Sequence, residues 1–329
     1  MSERIITYAE AIREALAQAM AEDDRVFMLG EDVGVYGGAF GVSGDLVHRF
    51  GADRVRDTPI SELGIVGAAL GASLVGMKPI VEIQFSDFTA QAMDQIVNQA
   101  AKIHFMLGGE INAPMVLRAP LGSGTGAAAQ HSQSWEAFFA HIPGLKVVMP
   151  ATAQDAKGLL LAAIDDPNPV LVLEHKLLYK TSGPVTEEAI RTPLGKSAVR
   201  RNGKDAVIVA TGVMVSRSLE AAETLAAQGI DVTVIDVRSL TPLDMAPIDE
   251  AVQATGRVLL VQEAPNKGGF MAEISARLAE GKSLYSLDAP IKRLGGLDVP
   301  IPYAPQLERS VVPQVPNIVD AVVELMREP

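Results

Sequence analysis

Short apolar runs rich in β-branched residues recur along this chain, and each is followed by a helical pattern. "RVFMLG" (25–30), "PIVEIQF" (79–85), "PMVLRA" (114–119) and "PVLVLE" (169–174) lack the in–out alternation of a half-buried strand. Strands of this kind are covered on both faces, and the helical patterns between them (62–75, 88–106 and 152–164) supply crossover connections. The expected fold class is therefore α/β, built on a parallel sheet with helices on both sides. Ahead of the first strand, Thr7 and Glu10 form the pattern of a capping box, opening a helix to about Met20.

A second alternating set follows a turn-rich stretch at 176–204. Its strands are "DAVIVA", "DVTVID" and "RVLLVQE", with helices at 215–228, 244–254 and 270–280 and a last helix from about Asn317. A chain of 329 residues exceeds most single cores. Two α/β domains are expected, 1–190 and a smaller 191–329. The balance of 28 Lys and Arg against 40 Asp and Glu, a net charge of −12, disfavours nucleic acid or an anionic membrane as partner. The chain has no cysteine, which removes disulfides, thiolate metal sites and cysteine nucleophiles. Neither a signal-peptide pattern nor an apolar run of membrane-spanning length is present, so the reading is a cytoplasmic protein.

Ligands of open parallel sheets bind beyond the carboxyl ends of the strands. Four polar stretches fall there: 30–34, 59–62, 84–88 and 119–135. Glu62 is either a helix-starting acid, with Ser61 as cap, or a carboxylate aimed at a ligand. Gly122, Gly124 and Gly126 form a G-x-G-x-G after a strand, which raises a nicotinamide dinucleotide site. That fingerprint needs an acid at the end of the next strand, and "KVVM" ends instead in Pro150-Ala151. The alternative is that these glycines only let the backbone turn near another surface. His131, with Ser132 and Ser134, lacks the G-x-S-x-G elbow of a serine hydrolase. No H-E-x-x-H spacing marks a catalytic transition metal.

Several long motifs, in order and end to end, carry a family resemblance. They are "GEDVG", "RVRDTPISELGIVGAALGASLVGMKPIVEIQFSDF", "MDQIVNQAAKI", "AAAQHSQS", "PGLKVVMPATAQDAKGLL", "DDPNPV" and "DVPIPYA". The chain resembles the β subunit of the thiamine-diphosphate-dependent E1 component of 2-oxoacid dehydrogenase complexes, a group with pyruvate, branched-chain and acetoin-cleaving members. The resemblance implies a pyrimidine-binding domain of the thiamine-diphosphate fold followed by a transketolase C-terminal-like domain. It implies that Glu62 hydrogen-bonds N1′ of the cofactor's aminopyrimidine, favouring the imino tautomer whose 4′-nitrogen takes the thiazolium C2 proton. Phe88 would pack on that ring and Ile60 would touch it. His131 would stand near the reacting carbon, and Glu31 would belong to an acidic passage between paired sites.

The same resemblance implies a structural potassium ion at "DDPNP" (165–169). Carbonyls of Met115, Ala163 and Ile164 would join Asp166 and Asn168, a set of hard oxygen donors at the negative end of a helix. The G-D-G motif that holds magnesium and the diphosphate in this cofactor family has no counterpart around Gly44-Asp45-Leu46. Half of the site, with Mg²⁺, is thus expected from an α subunit in an α₂β₂ heterotetramer. Asp288, on the loop before "IKRLG", is expected to meet the subunit-binding domain of the E2 lipoyl acyltransferase. The implied function is decarboxylation of a 2-oxoacid, pyruvate foremost, with acyl transfer to the lipoyl group of E2. Acetoin-cleaving and branched-chain enzymes are the alternatives within the family. A nicotinamide-dependent oxidoreductase and a non-catalytic scaffold are the alternatives outside it.

Overall fold

The structure, a computed structural model, describes residues 4–328. The chain divides into two compact units: residues up to Leu121 with Phe138–Leu194, and Gly122–Ala137 with Gly195 onward. The segment 122–137, which the sequence reading left within the first domain, thus clusters with the second unit.

In the first unit six strands run parallel in the order Lys146–Val148, Val170–His175, Val116–Leu121, Lys78–Glu82, Val26–Gly30 and Val55–Asp57. The four central strands are almost wholly buried, with Ile80, Val81, Val116, Leu171 and Val172 all at 1% exposure or less. Each such side chain contributes about 2 kcal/mol by leaving water. The chain steps outward from Val26–Gly30 to Val55–Asp57, then returns to the other side at Lys78–Glu82. The winding reverses between the carboxyl ends of Val26–Gly30 and Lys78–Glu82, the position at which open α/β sheets take their ligands. Gly30 pairs with Glu82 there, and a Cβ on Gly30 would lie 2.6 Å from the Glu82 carbonyl oxygen, so only glycine fits.

The helix Tyr8–Glu22 opens with the expected capping box of Thr7 and Glu10. Glu62–Leu74 forms the helix after the third strand and packs on Lys78–Glu82 and on the segment Ser86–Ala92. Two expectations need correction. Ser61 makes no side-chain cap to this helix. The single helix expected over 88–106 is a 3₁₀ turn (Ser86–Ala92), a π turn (Asp94–Ala100) and a short α-helix (Ala101–Met106). Apolar spacing of three to four residues fits all three windings and does not distinguish them. A two-stranded antiparallel ribbon, Arg4–Thr7 with Ser182–Val185, was not anticipated.

The second unit holds five strands in the order Lys292–Gly296, Val258–Pro265, Ala206–Ala210, Val232–Asp236 and Ala198–Arg201; the last runs antiparallel. Val207, Ile208, Leu259 and Leu260 are fully buried, as their continuous apolar runs require. Among the described residues no helix is long and apolar enough to cross a membrane.

Candidate active site

Three carboxyl ends of the first unit's strands each deliver one candidate residue. Glu31 follows Gly30, Glu62 opens the helix after Asp57, and Phe88 lies six residues beyond Glu82. The helix starting at Glu62 packs on the segment carrying Phe88. Gln84 joins the first and third loops, its Nε2 donating at 3.4 Å to the Glu31 carbonyl and to Asp32 Oδ2. Asp32 holds a left-handed backbone (φ 56), an uncommon state for a residue with a side chain and one that clusters at functional sites. Asp57 fastens the same loop by accepting the Gly34 N–H at 2.6 Å.

The charges here are of one sign. Burial pushes the Glu31 carboxyl above its ordinary value, and the nearby Glu62 and Asp32 carboxylates add to the rise. Glu31 therefore retains a proton to higher pH than a surface glutamate. Glu62 is half-buried and receives no side-chain or backbone donor among the described residues. A half-shielded carboxylate without a donor is free to accept one from a ligand. Phe88 is half-buried, and Ile60 is 82% exposed at the same edge. Val35 and Tyr36, beyond Glu31, and Leu63, beside Glu62, are exposed apolar residues as well. The first unit thus brings Glu31, Ile60, Glu62 and Phe88 to one sheet edge.

His131 belongs to the second unit, half-buried on the Gly-rich loop, its N–H donating to the Ala128 carbonyl at 3.4 Å. The glycine pattern of this loop has a clear use. Gly122, Gly124 and Gly126 all take positive φ, and the N–H groups of Gly124 and Gly126 donate to the Glu308 carboxylate at 2.7 and 3.1 Å. The Ser123 N–H donates to Glu263 at 2.7 Å. The donors a dinucleotide pyrophosphate would require are already taken by the chain's own carboxylates. A cavity of about 540 Å³ lies in this unit between Ala129–Trp135, Glu263–Pro265 and Gly296–Ile301.

The residues proposed for potassium meet at the amino edge of the first unit's sheet, opposite the carboxyl-edge loops. Asp166 caps helix Ala153–Asp165, whose last turn holds Ala163 and Ile164. Asp166 Oδ1 accepts the Asn168 N–H at 2.9 Å, and Oδ2 pairs with Lys146. The Met115 carbonyl accepts from Val170 at 3.0 Å and the Ala163 carbonyl from Asp166 at 3.3 Å. Asn168 Oδ1 is buried without a partner, an oxygen lone pair open to a cation. Asp288 is 64% exposed in the second unit, with Oδ2 3.5 Å from Arg257 of its own chain.

Two groups escaped the sequence reading. Arg118, fully buried, forks onto Glu174 through Nε and Nη2 at 2.8 and 2.7 Å and onto Glu82 through Nη1 at 2.5 Å. Burial opposes its charge, yet Glu174 and Glu82 hold the guanidinium firmly protonated. Only the charged residue types inside apolar strands could have signalled it. The other is Glu136, 1% exposed in the second unit. Burial pushes its carboxyl up to about 7, its own backbone N–H offsetting part of the rise and Glu263 adding to it.

The folds of both units match known domains. Residues 4–182 match the transketolase pyrimidine-binding domain, and residues 195–318 the transketolase C-terminal domain. The chain is 46% identical to the pyruvate dehydrogenase E1 component subunit beta-1 of Arabidopsis thaliana over 96% of its own length and 88% of that protein. It is 45% identical to the 2-oxoisovalerate dehydrogenase subunit beta of Bacillus subtilis, covering 98% of each chain. The chain belongs to the E1 β subunits of the 2-oxoacid dehydrogenases. It is also 42% identical to the acetoin:2,6-dichlorophenolindophenol oxidoreductase subunit beta of Bacillus subtilis, over 99% and 98% of the two chains. A solved split-gene transketolase, an inactive beta4 tetramer, superposes with a TM-score of 0.82 at 25% identity, covering 98% of both chains. Thiamine diphosphate is the cofactor this family implies. The donor-free carboxylate, the half-buried ring of Phe88 and the exposed Ile60 fit its pyrimidine end.

The raised carboxyl of Glu136 predicts a pH dependence of stability. Native Glu136 binds its proton more tightly than the unfolded chain does, so its contribution is full below about pH 4.5 and is lost as pH rises through about 7. Glu136→Gln removes that loss. The variant should melt a few degrees above the parent at pH 8, with the difference shrinking towards pH 5. Calorimetric melting at the two pH values checks this; a constant difference would contradict it.

Proposed function

We propose that this β subunit supplies the pyrimidine half of a thiamine diphosphate site for decarboxylation of a 2-oxoacid, pyruvate first. The observation that carries the reading is the donor-free Glu62 carboxylate near the Glu31 carboxyl, on the edge that also presents Phe88. When bound, thiamine diphosphate supplies the carbon nucleophile and the electron sink for loss of CO₂. Glu62, whose carboxylate has no donor of its own, holds or shares a proton at N1′ of the pyrimidine. Phe88 covers the ring and, with Ile60, keeps water from it. His131, on the loop of the second unit, orients substrate or the incoming lipoyl group.

The exposed apolar edge of Val35, Tyr36, Ile60 and Leu63 supports an α partner that covers it and brings magnesium and the diphosphate pocket. The split-gene transketolase described above is inactive as a beta4 tetramer, in keeping with such a division. An α₂β₂ cytoplasmic assembly is the form we infer. Because the relatives named for pyruvate, 2-oxoisovalerate and acetoin are nearly equally similar, the assay takes all three substrates. Reconstituted with its α subunit, the enzyme should turn over pyruvate best. Glu62→Gln should fold and assemble normally yet lose roughly 10²–10⁴ in rate, as the amide cannot exchange a proton with N1′. Near-parental turnover by this variant would return Glu62 to the helix-start role.

Potassium at Asp166 and Asn168 is the second element of the proposal, supported by the unpartnered Asn168 Oδ1. Melting in potassium chloride should exceed that in equal choline chloride, and Asp166→Ala should abolish the difference; equal melting of the parent in both salts would remove the ion.

The third element is docking of the E2 subunit-binding domain at Asp288. The Arg257 contact is long and most of the Asp288 side chain faces water, leaving room for a basic partner. Asp288→Lys should weaken calorimetric binding of that domain to the assembled enzyme, with the loss smaller at high salt, while decarboxylation with an artificial acceptor is retained. Unchanged affinity would place the docking surface elsewhere.

A further inference from the structure

We propose that Phe40 and Tyr179 are positioning residues: they set Phe85 and Phe88 against the bound pyrimidine ring, and the buried Glu82–Arg118–Glu174 ion network holds them in turn. The inference rests on the reading above that Phe88 faces the cofactor.

Phe88 stands on a winding with little rigidity of its own. Ser86–Ala92 is a 3₁₀ turn, whose hydrogen bonds are poorer than those of an α-helix, and a π turn follows it. The Phe88 N–H donates to the carbonyl of Phe85, the extended residue that caps this turn, at 3.0 Å. Ring orientation is therefore set by what packs behind. Phe85 meets Phe88 edge-to-face, with centroids 6.2 Å apart and planes at 84°. Behind Phe85 lies Phe40 at 5.6 Å and 75°, and Phe40 stacks on Tyr179 at 5.2 Å and 26°. Tyr8 closes the row against Tyr179 at 6.0 Å. The Lys176 ammonium lies 5.2 Å from the Phe85 ring centroid and fixes that ring from another side. Phe85, Phe88 and Phe40 are half-buried, whereas Tyr179 and Tyr8 are buried, so the row runs from an accessible end to an anchored one.

The anchor is ionic. The Tyr179 hydroxyl donates to Glu174 Oε2 at 2.7 Å, and Glu174 receives the fork of Arg118, which also holds Glu82. Glu82, Arg118 and Glu174 lie on three adjacent strands, Lys78–Glu82, Val116–Leu121 and Val170–His175. Glu82 is also the last strand residue before the turn that carries Phe85 and Phe88. Tyr179 and the turn that carries Phe88 are thereby tied to one buried guanidinium. A buried ion network contributes little net stability over an apolar one, but it admits few geometries. That property suits the seating of a ring at a sheet edge.

The test uses the enzyme assembled with its α subunit and three variants: Phe40→Leu, Phe40→Tyr and Tyr179→Phe. Calorimetry gives the dissociation constant of thiamine diphosphate with magnesium, and melting of the cofactor-free enzyme reports structure. Phe40→Leu should weaken cofactor binding by about fivefold to tenfold, the scale of one aromatic contact, with cofactor-free melting within about 2 °C of the parent. Phe40→Tyr, which keeps the ring, should restore parental affinity. Tyr179→Phe, which keeps its ring but releases Glu174, should weaken binding in the same direction. Parental affinity in both Phe40→Leu and Tyr179→Phe, with only melting lowered, would overturn the proposal. A parent enzyme that binds no cofactor would instead overturn the site reading on which it rests.

Discussion

Strands Val26–Gly30 and Lys78–Glu82 finish level with one another, Gly30 opposite Glu82, at the point where the sheet's winding reverses. The close approach permits no side chain on Gly30. Everything proposed for catalysis follows from that pairing. Glu31 leaves one strand end, the turn of Phe85 and Phe88 leaves the other, and the chain that stepped outward between them returns through Glu62. A shift of one residue in either strand would turn Glu31 or the aromatic turn to the opposite face. The buried fork of Arg118 onto Glu82 and Glu174 ties Lys78–Glu82 in turn to the next two strands, Val116–Leu121 and Val170–His175.

The parallel strands and the helix at Glu62 were legible in the sequence because burial on both faces writes a continuous apolar run. Their observed ends fall within a few residues of those runs: "PIVEIQF" is strand only to Glu82, since the 3₁₀ turn claims the chain soon after. Winding type was not legible, because Asp94–Ala100 has a helical apolar spacing whether it closes as α or π. Long-range partners were hidden for a different reason. Glu82, Arg118 and Glu174 are 36 and 56 residues apart, and only the sheet order makes them neighbours. The Gly-rich loop illustrates the opposite case. Its glycines announced a sharp turn correctly, but the carboxylate they approach, Glu308, lies more than 180 residues downstream.

Site residues came chiefly through family likeness, since Glu62 alone satisfies a helix-start reading equally well. The structure adds a physical distinction: Ser61 does not cap, and Glu62 lacks a donor while standing near a second carboxyl, Glu31, whose proton affinity burial raises. Two acids at such an edge repel unless a ligand or a proton lies between them. Exposed Val35, Tyr36 and Ile60 around them describe a surface shaped for cover rather than for water.

Calorimetric binding of thiamine diphosphate with magnesium to the purified chain, to its α subunit, and to the two mixed tests the division of the site most directly. Saturable binding, accompanied by pyruvate decarboxylation, is predicted only for the mixture. Tight stoichiometric binding and turnover by this chain alone would contradict it.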